Sequence, residues 1–191
     1  MAYLVQLWRL VWWMLKLPMR VVMIWLYLGA LTFTGKQPAR RRIVVRTMND
    51  CPWPALKGAR EILAQAGVDV VYMKGRARGD IPVDHVPRPL PHWLSKTFRY
   101  CVMTGSDWTD LLFPTEIKLW TVTTLERSRG LHIGLSGYVL IAALSPPVTL
   151  AHEIGHAAGL LHRSDPENLL EPGRPDGSTL TNWQRAVIWS M

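Results

Sequence analysis

The chain has 191 residues and a formal net charge of +8. This length suits one domain with a sizeable core and an appended segment, and it is short for two full domains. Residues 1–46 carry 8 of the 22 basic side chains and none of the 14 acidic ones, so residues 47–191 hold 14 of each and are formally neutral. A neutral globular part does not favour nucleic-acid binding, which needs a basic patch on the folded surface, and no nucleic-acid partner is expected.

Residues 1–35 predict an association with membrane lipid. Leu, Val, Met and Trp dominate this segment, and its three cations lie on one stripe of a helix. We expect an amphipathic helix over residues 2–17 to lie in the membrane interface, and we expect Pro18 to break or kink it. The 15 uncharged residues after Arg20 fall short of the roughly 20 that a spanning helix needs, although snorkelling of the flanking cations can extend them.

Three fates of this segment stay open. A retained single-pass or interfacial anchor is the prediction, and the alternatives are a cleaved signal peptide, with secretion, and a buried core helix. Five basic residues follow the apolar run and three precede it, which leans only weakly towards a cytoplasmic C-terminal domain. Cys51 and Cys101 can pair after export or remain reduced, and we expect the reduced state.

A βαβ unit is predicted after a basic linker at residues 36–42. Residues 42–47 form a β-branched strand, a helix follows with Pro54 in its first turn and Gly67 as its stop, and residues 68–73 form a second strand. A strand, a helix and a strand within about 30 residues predict parallel strands.

The middle of the chain is less regular. Residues 74–115 contain a proline-rich, loop-like stretch, in which His85 and His92 are interpreted as ordinary loop histidines and short helices are predicted at residues 92–102 and 107–112.

Three further strands are predicted at residues 117–125, 130–137 and 138–144, which gives a mixed sheet of about five strands. A helix then opens with Thr149 as its expected N-cap.

The stretch TLAHEIGHAAGLLH, near the C-terminus, carries the chemistry. Its His152 and His156 are four residues apart, so a helix projects both imidazoles from one face at a spacing that lets both bind one Zn²⁺. Glu153 can take a proton from a water in the open coordination position. Gly159 tolerates the left-handed conformation that ends a helix, so the chain can turn and return His162 as the third ligand.

Zinc is the expected cofactor, because three neutral imidazoles and one water form a tetrahedral site of the catalytic kind. For a chain of this composition, a chance match to HExxHxxGxxH is on the order of one in 10⁵. A structural zinc site would more often use cysteine and would not require a glutamate beside the first histidine.

The stretch HEIGHAAGLLH resembles the metzincin zinc-peptidase signature HExxHxxGxxH at every fixed position. Matrixin-like metzincins have a methionine eight residues after the third histidine and a proline two residues further on, where this chain has Leu170 and Pro172. Leucine can replace this methionine at some cost in fit, because the residue forms an apolar floor beneath the metal and is not a ligand. The stretch GSTLTNWQRAVIWSM resembles the C-terminal helix of bacterial matrixin-like peptidases, opening near Thr181.

This resemblance implies an α+β zincin fold. The expected architecture is a twisted five-stranded mixed sheet with an antiparallel edge strand at residues 131–135, an active-site helix and a C-terminal helix, preceded by the N-terminal hydrophobic membrane helix. The expected division is an anchor at residues 1–35, a linker at residues 36–42 and a zinc-peptidase domain at residues 43–191.

The resemblance also implies a membrane-anchored zinc metalloendopeptidase with Glu153 as its general base. The expected partners are membrane lipid and a peptide or protein substrate, which would lie extended along the edge strand. The expected substrate-binding residues are His132, Ile133, Gly134 and Leu135. The alternative function is a catalytically impaired zincin-fold binding or regulatory module at the membrane, prompted by the missing methionine.

Overall fold

The computed structural model describes residues 2–75, 85–86, 116–126, 128–133, 137–172 and 177–191. Its strands, in chain order, are β1 (Arg41–Thr47), β2 (Val68–Lys74), β3 (His85–Val86), β4 (Ile117–Val122), β5 (Thr124–Leu125), β6 (Gly130–Ile133) and β7 (Tyr138–Ala142). Its helices are α1 (Ala2–Thr34), α2 (Trp53–Ala64), α3 (Thr149–Ala157) and α4 (Asn182–Trp189).

Five strands form the main sheet, in the order β2-β1-β4-β7-β6. β1 pairs in parallel with β2 and with β4, β4 pairs in parallel with β7, and β6 runs antiparallel to β7. Because α2 connects β1 to β2, the predicted βαβ unit is confirmed. The predicted α+β arrangement is also confirmed, with its mixed five-stranded sheet, antiparallel edge strand and N-terminal apolar helix.

A second, two-stranded sheet pairs β3 with β5 in parallel, and the sequence did not predict it. His85 therefore begins a strand, and the expectation that it lies in a loop is wrong. Two residues are too few to show the alternation that identifies a strand in a sequence. His92, Cys101 and the short helices predicted at residues 92–102 and 107–112 lie outside the described residues.

Apolar side chains pack on both faces of β4 and β7 in the main sheet, as is usual for parallel strands. Alternate residues of β4 and β7 divide between two clusters: Leu119 and Ile141 join the larger one, together with side chains of all four described helices. On the other face, the rings of Trp120 and Tyr138 lie 5.4 Å apart in the smaller cluster. Each fully buried large side chain contributes about 1.5–3 kcal/mol, so these clusters fix the sheet beneath α3.

Helix α3 begins one residue earlier in the sequence than expected. Its N-cap is Val148, which already has helical dihedral angles, and Thr149 is the first helical residue. Thr149 makes no side-chain cap hydrogen bond and is buried, with its methyl group beside Gly130 of β6. In contrast, α4 opens near Thr181 as expected, and Thr181 is its N-cap, because its hydroxyl accepts from the backbone of Gln184 in a reciprocal capping box.

Helix α1 runs from Ala2 to Thr34 with Pro18 inside it, so Pro18 does not break the helix as one of the two expected outcomes, a break or a kink, would require. Because Pro18 has no backbone N–H, the carbonyl oxygen of Met14 lacks its helical hydrogen bond. Met14 and Pro18 both lie on the exposed side of the helix, where solvent can donate to this oxygen instead. By length and composition alone, Leu10–Thr34 is apolar enough to cross a membrane, and signal sequences and core helices share that property.

The second half of α1 packs against α4. Ile24 and Tyr27 are buried in the larger cluster, and the Tyr27 ring lies 5.6 Å from that of Trp189. The opposite side of the helix is exposed, with Trp25 at 66% and Leu26 at 59%. One face of this apolar helix is therefore part of the core, and the other face has no protein cover among the described residues.

We predict that Ile24→Ala lowers the free energy of unfolding of the full chain by about 2 to 4 kcal/mol, because it removes a buried side chain from the α1–α4 contact. Trp25→Ala is the matched control, since it truncates an exposed neighbour and is expected to change that energy by less than about 0.5 kcal/mol. Urea denaturation followed by circular dichroism in mild detergent measures both. Equal effects of the two variants would show that this half of α1 does not pack on the domain.

Candidate metal site

Helix α3 holds two histidines one turn apart on a single face. His152 and His156 are both half-buried, and the helix ends at Ala157 with Ala158 as its C-cap. Gly159 follows with φ of +93°, in the left-handed region that glycine adopts without a side-chain clash. The chain therefore turns sharply, and the exposed His162 returns to the two helical imidazoles.

The three imidazoles meet through their Nε2 atoms. The Nε2 of His156 lies 3.0 Å from that of His152 and 3.1 Å from that of His162. One ligand atom from each of the three rings lies within 4.8 Å of the other two, so the group could hold a metal ion.

Backbone carbonyl groups fix the orientation of the two helical rings. The Nδ1 of His152 lies 2.6 Å from the carbonyl oxygen of Leu169, and the Nδ1 of His156 lies 2.8 Å from that of Leu160. A carbonyl oxygen can only accept, so in each neutral ring the hydrogen sits on Nδ1 and the lone pair sits on Nε2. Nε2 is consequently the atom that is free to bind a metal in both rings, and Nε2 of His156 lies close to that of each of the other two histidines.

The protonation state of the helical histidines also suits a metal. Burial lowers the pKa of His152 to about 4, assisted by the neighbouring His156, and the hydrogen bond to Leu169 opposes this shift. Burial lowers the pKa of His156 as well. Both rings are therefore neutral near pH 7, and neutral imidazole is the form that binds metal.

The spacing of the nitrogens fits a tetrahedral ion. Zn–N bonds of 2.0–2.1 Å at tetrahedral angles place ligand nitrogens roughly 3.3 Å apart, within a few tenths of an ångström of the two separations given above. Lone pairs that face each other without a hydrogen between them repel, and a cation among them removes that cost. The residues present thus fit a zinc ion bound by His152, His156 and His162.

Glu153 lies beside these ligands and faces β6. Its side chain is buried, and burial raises the pKa of its carboxyl group to about 8, against an opposing hydrogen bond with the backbone of His132. A Cβ built on Gly130 would lie 2.6 Å from Oε1 of Glu153. Glycine at the first position of the edge strand therefore makes room for this carboxyl group. This role of Gly130 is not predicted from the sequence, where its one signal is a glycine at the start of a strand.

Leu170 lies against the face of α3 that carries the histidines. It is fully buried, and a Cβ built on Gly155, which lies between the two helical histidines, would be 3.1 Å from its Cδ2 atom. Its carbonyl oxygen accepts a 3.0 Å hydrogen bond from the backbone of Arg163, next to His162. Leu170 is thus buried against α3 close to Gly155, while Pro172 is exposed two residues further on.

A buried amide pair holds the turn before Leu170. Asn168 and Gln184 exchange two side-chain hydrogen bonds, of 2.8 and 2.9 Å, and Oδ1 of Asn168 also accepts from the backbone N–H of Leu170 at 3.0 Å. Gln184 is also the residue of the α4 capping box, so the start of α4 and the turn beneath His152 are joined. Neither amide is predicted from the sequence, because their pairing joins residues that no local pattern connects.

The edge strand carries two of the four predicted substrate-binding residues. His132 is half-buried and Ile133 is buried in β6, while Gly134 and Leu135 lie outside the described residues.

Cys51 is a free, partly buried thiol, and burial raises its pKa.

No protein-family model and no curated protein matches this chain. Among solved structures, the chain is similar to a zinc-dependent peptidase from Methanocorpusculum labreanum, with a TM-score of 0.44 and 16% sequence identity. The alignment covers 75% of this chain and 92% of that protein.

We predict that the stability of the metal-free protein falls as the pH rises from 6.5 to 8. Because the pKa of Glu153 is raised, the folded state binds this proton more tightly than the unfolded state does. The resulting gain in stability is complete below the pKa that a glutamate has in the unfolded chain, and it is lost progressively as the pH rises towards about 8. The lowered histidine pKa values act only below pH 6.5, where the unfolded state takes up protons first.

The measurement is chemical denaturation in the presence of a chelator, at several pH values between 6.5 and 8. Glu153→Gln is the control, because it keeps the shape of the side chain without the titration. Parallel pH profiles for the two proteins would contradict the prediction.

Proposed function

We propose that the protein is a zinc-dependent metalloendopeptidase of the metzincin type. The observation that carries the proposal is the convergence of three Nε2 atoms beside the buried carboxyl group of Glu153. Three histidine ligands leave the fourth position of a tetrahedral zinc ion open, which is typical of catalytic zinc sites.

Zinc held by His152, His156 and His162 would supply Lewis-acid chemistry for hydrolysis of the scissile carbonyl group. Glu153 would act as the general base, taking a proton from the attacking water and passing it to the departing amine. Its raised pKa suits this cycle, since a group that must both accept and donate a proton works best when its pKa lies near the working pH.

The substrate is an extended peptide that pairs with the free edge of β6. β7 occupies one side of β6, and β6 ends the described order of the main sheet, so its other side can accept backbone hydrogen bonds from a peptide. His132 and Ile133 of β6 would then run along the peptide, and the Glu153 side chain lies close to Gly130 at the start of this strand. The matrixin-like subgroup is supported by the position of Leu170 beneath α3 and by the spacing to Pro172.

We predict about one zinc ion per chain by elemental analysis and cleavage within a mixed peptide library. Glu153→Gln should retain zinc but lower the cleavage rate about 10²-fold or more, because it removes the general base and none of the ligands. Glu167→Gln is the matched control, since Glu167 is an exposed carboxylate on the loop after His162. Unchanged cleavage by the Glu153 variant would disprove the mechanism, and zinc binding without any cleavage by the wild type would favour the binding-module alternative.

We further propose that α1 is retained and lies in the plane of an anionic membrane surface. Its exposed face is apolar and contains Trp25 and Leu26. Residues 1–46 carry eight cations and no acid, and six of these cations remain besides the buried Arg20 and Arg46, which pairs with Glu116. Lipid cannot surround the helix on all sides, because Ile24 and Tyr27 occupy the core. Signal cleavage near Gly29 would remove these two side chains from the core, which favours retention over secretion.

We predict that the full chain floats with vesicles that contain anionic lipid and floats poorly with purely zwitterionic vesicles. The double variant Trp25→Ser/Leu26→Ser should weaken vesicle binding about tenfold or more, because it removes two large apolar contacts with the interface. Leu144→Ser is the control, since Leu144 is 96% exposed but belongs to the loop after β7. Equal loss in the control would show that α1 is not the membrane-binding surface.

A further inference from the structure

Arg20 is a buried cation in the middle of an apolar helix. Only 8% of its surface is exposed, whereas its neighbours Met19 and Val21 are exposed at 53% and 46%. A buried guanidinium group is costly unless it is hydrogen-bonded, so its partners show why the chain places an arginine here.

The partners of Arg20 lie at the C-terminal ends of two other helices. Its Nη2 atom donates to the carbonyl oxygen of Ala158 at 2.7 Å and to that of Val187 at 3.4 Å. Its Nε atom donates to Oγ of Ser190 at 3.3 Å, and that hydroxyl donates in turn to Val187. Ala158 is the C-cap of α3, and Ser190 is the C-cap of α4.

Both ends suit a cation. The last carbonyl groups of a helix have no donor within the helix, and the helix dipole places partial negative charge on them. Arg20 supplies donors and positive charge to two such ends at once, which offsets the cost of burying its charge. The shorter of its two carbonyl contacts is to α3.

The contact with α3 falls at a position that matters for the metal site. Ala158 lies two residues after the ligand His156 and directly before Gly159, where the chain turns towards His162. In this turn the backbone N–H of Gly159 donates to His156 at 2.9 Å, and that of Leu160 donates to Gly155 at 3.0 Å. The carbonyl oxygen of Leu160 then holds Nδ1 of His156.

We propose that Arg20 is a positioning residue for the metal site: by holding the carbonyl group of Ala158, it fixes the turn that brings His162 to the two helical histidines. This inference rests on the proposed zinc-peptidase function. It makes α1 a part of the site's support in addition to its membrane role.

A merely structural role would act differently. If Arg20 only attached α1 to α4, any variant that weakens this attachment would affect the metal site equally. Ile24→Ala weakens the same attachment one turn away on α1 and leaves the hydrogen bond to Ala158 in place, so it is the matched control.

The experiment compares wild type, Arg20→Met and Ile24→Ala as full chains in mild detergent. In the metal-free proteins, amide hydrogen exchange of Gly159 and Leu160 is expected to rise about fivefold in Arg20→Met only, the effect of losing a cation at a helix end. Zinc affinity, measured by chelator competition, should fall about tenfold in Arg20→Met and stay within about twofold of wild type in Ile24→Ala.

Equal changes in the two variants, or no change in Arg20→Met, would overturn the inference. If Arg20→Met does not fold, Arg20→Lys replaces it in the experiment. Lysine keeps the charge without the planar guanidinium group and should lower zinc affinity about threefold. Unchanged hydrogen exchange and zinc affinity in Arg20→Lys would also overturn the inference. If the wild type binds no zinc, the proposed function fails, while exchange in the metal-free proteins still tests the role of Arg20.

Discussion

Two backbone carbonyl groups decide what the three histidines can do. The oxygens of Leu169 and Leu160 accept from Nδ1 of His152 and His156, so the lone pairs of both rings point to one place. The oxygen of Leu169 belongs to the turn that the Asn168–Gln184 pair stabilises. The oxygen of Leu160 belongs to the turn after Gly159. The chemistry of the site therefore depends on backbone segments that lie outside the ligand-bearing helix.

The sequence predicts the parts of this arrangement that local patterns encode. The four-residue spacing of His152 and His156 places both on one helical face, and Gly159 adopts the left-handed conformation expected of it. The alternation of apolar and polar residues and the positions of turn residues predict the βαβ unit and the edge strand, because both depend directly on backbone geometry. Helix α4 opens near Thr181 as expected, where a capping box joins only four consecutive residues.

The remaining parts depend on contacts between distant segments. Thr149 looks like a cap in the sequence, yet its side chain packs beside Gly130 and the helix starts from Val148. Arg20 looks like one member of a basic stripe, yet it binds carbonyl groups more than 130 residues away in the chain. Asn168 and Gln184 form a buried pair that neither residue type reveals alone. Such pairings depend on which surfaces the fold brings together, and no local periodicity carries that information.

Helix α1 combines two requirements that usually belong to different segments. Residues 20, 24 and 27 fall on one face of a helix and enter the core, while Trp25 and Leu26 face outward from the same turns. An apolar helix of this composition satisfies both environments, because the interior of a protein and the interior of a bilayer both accept leucine, valine and tryptophan. Only the arginine distinguishes the two faces, since its charge needs the carbonyl groups that the ends of α3 and α4 supply. Helix α1 and the α+β domain thus form one packed unit, and a fragment starting at residue 43 would expose the surface of α4 that Ile24 and Tyr27 now cover.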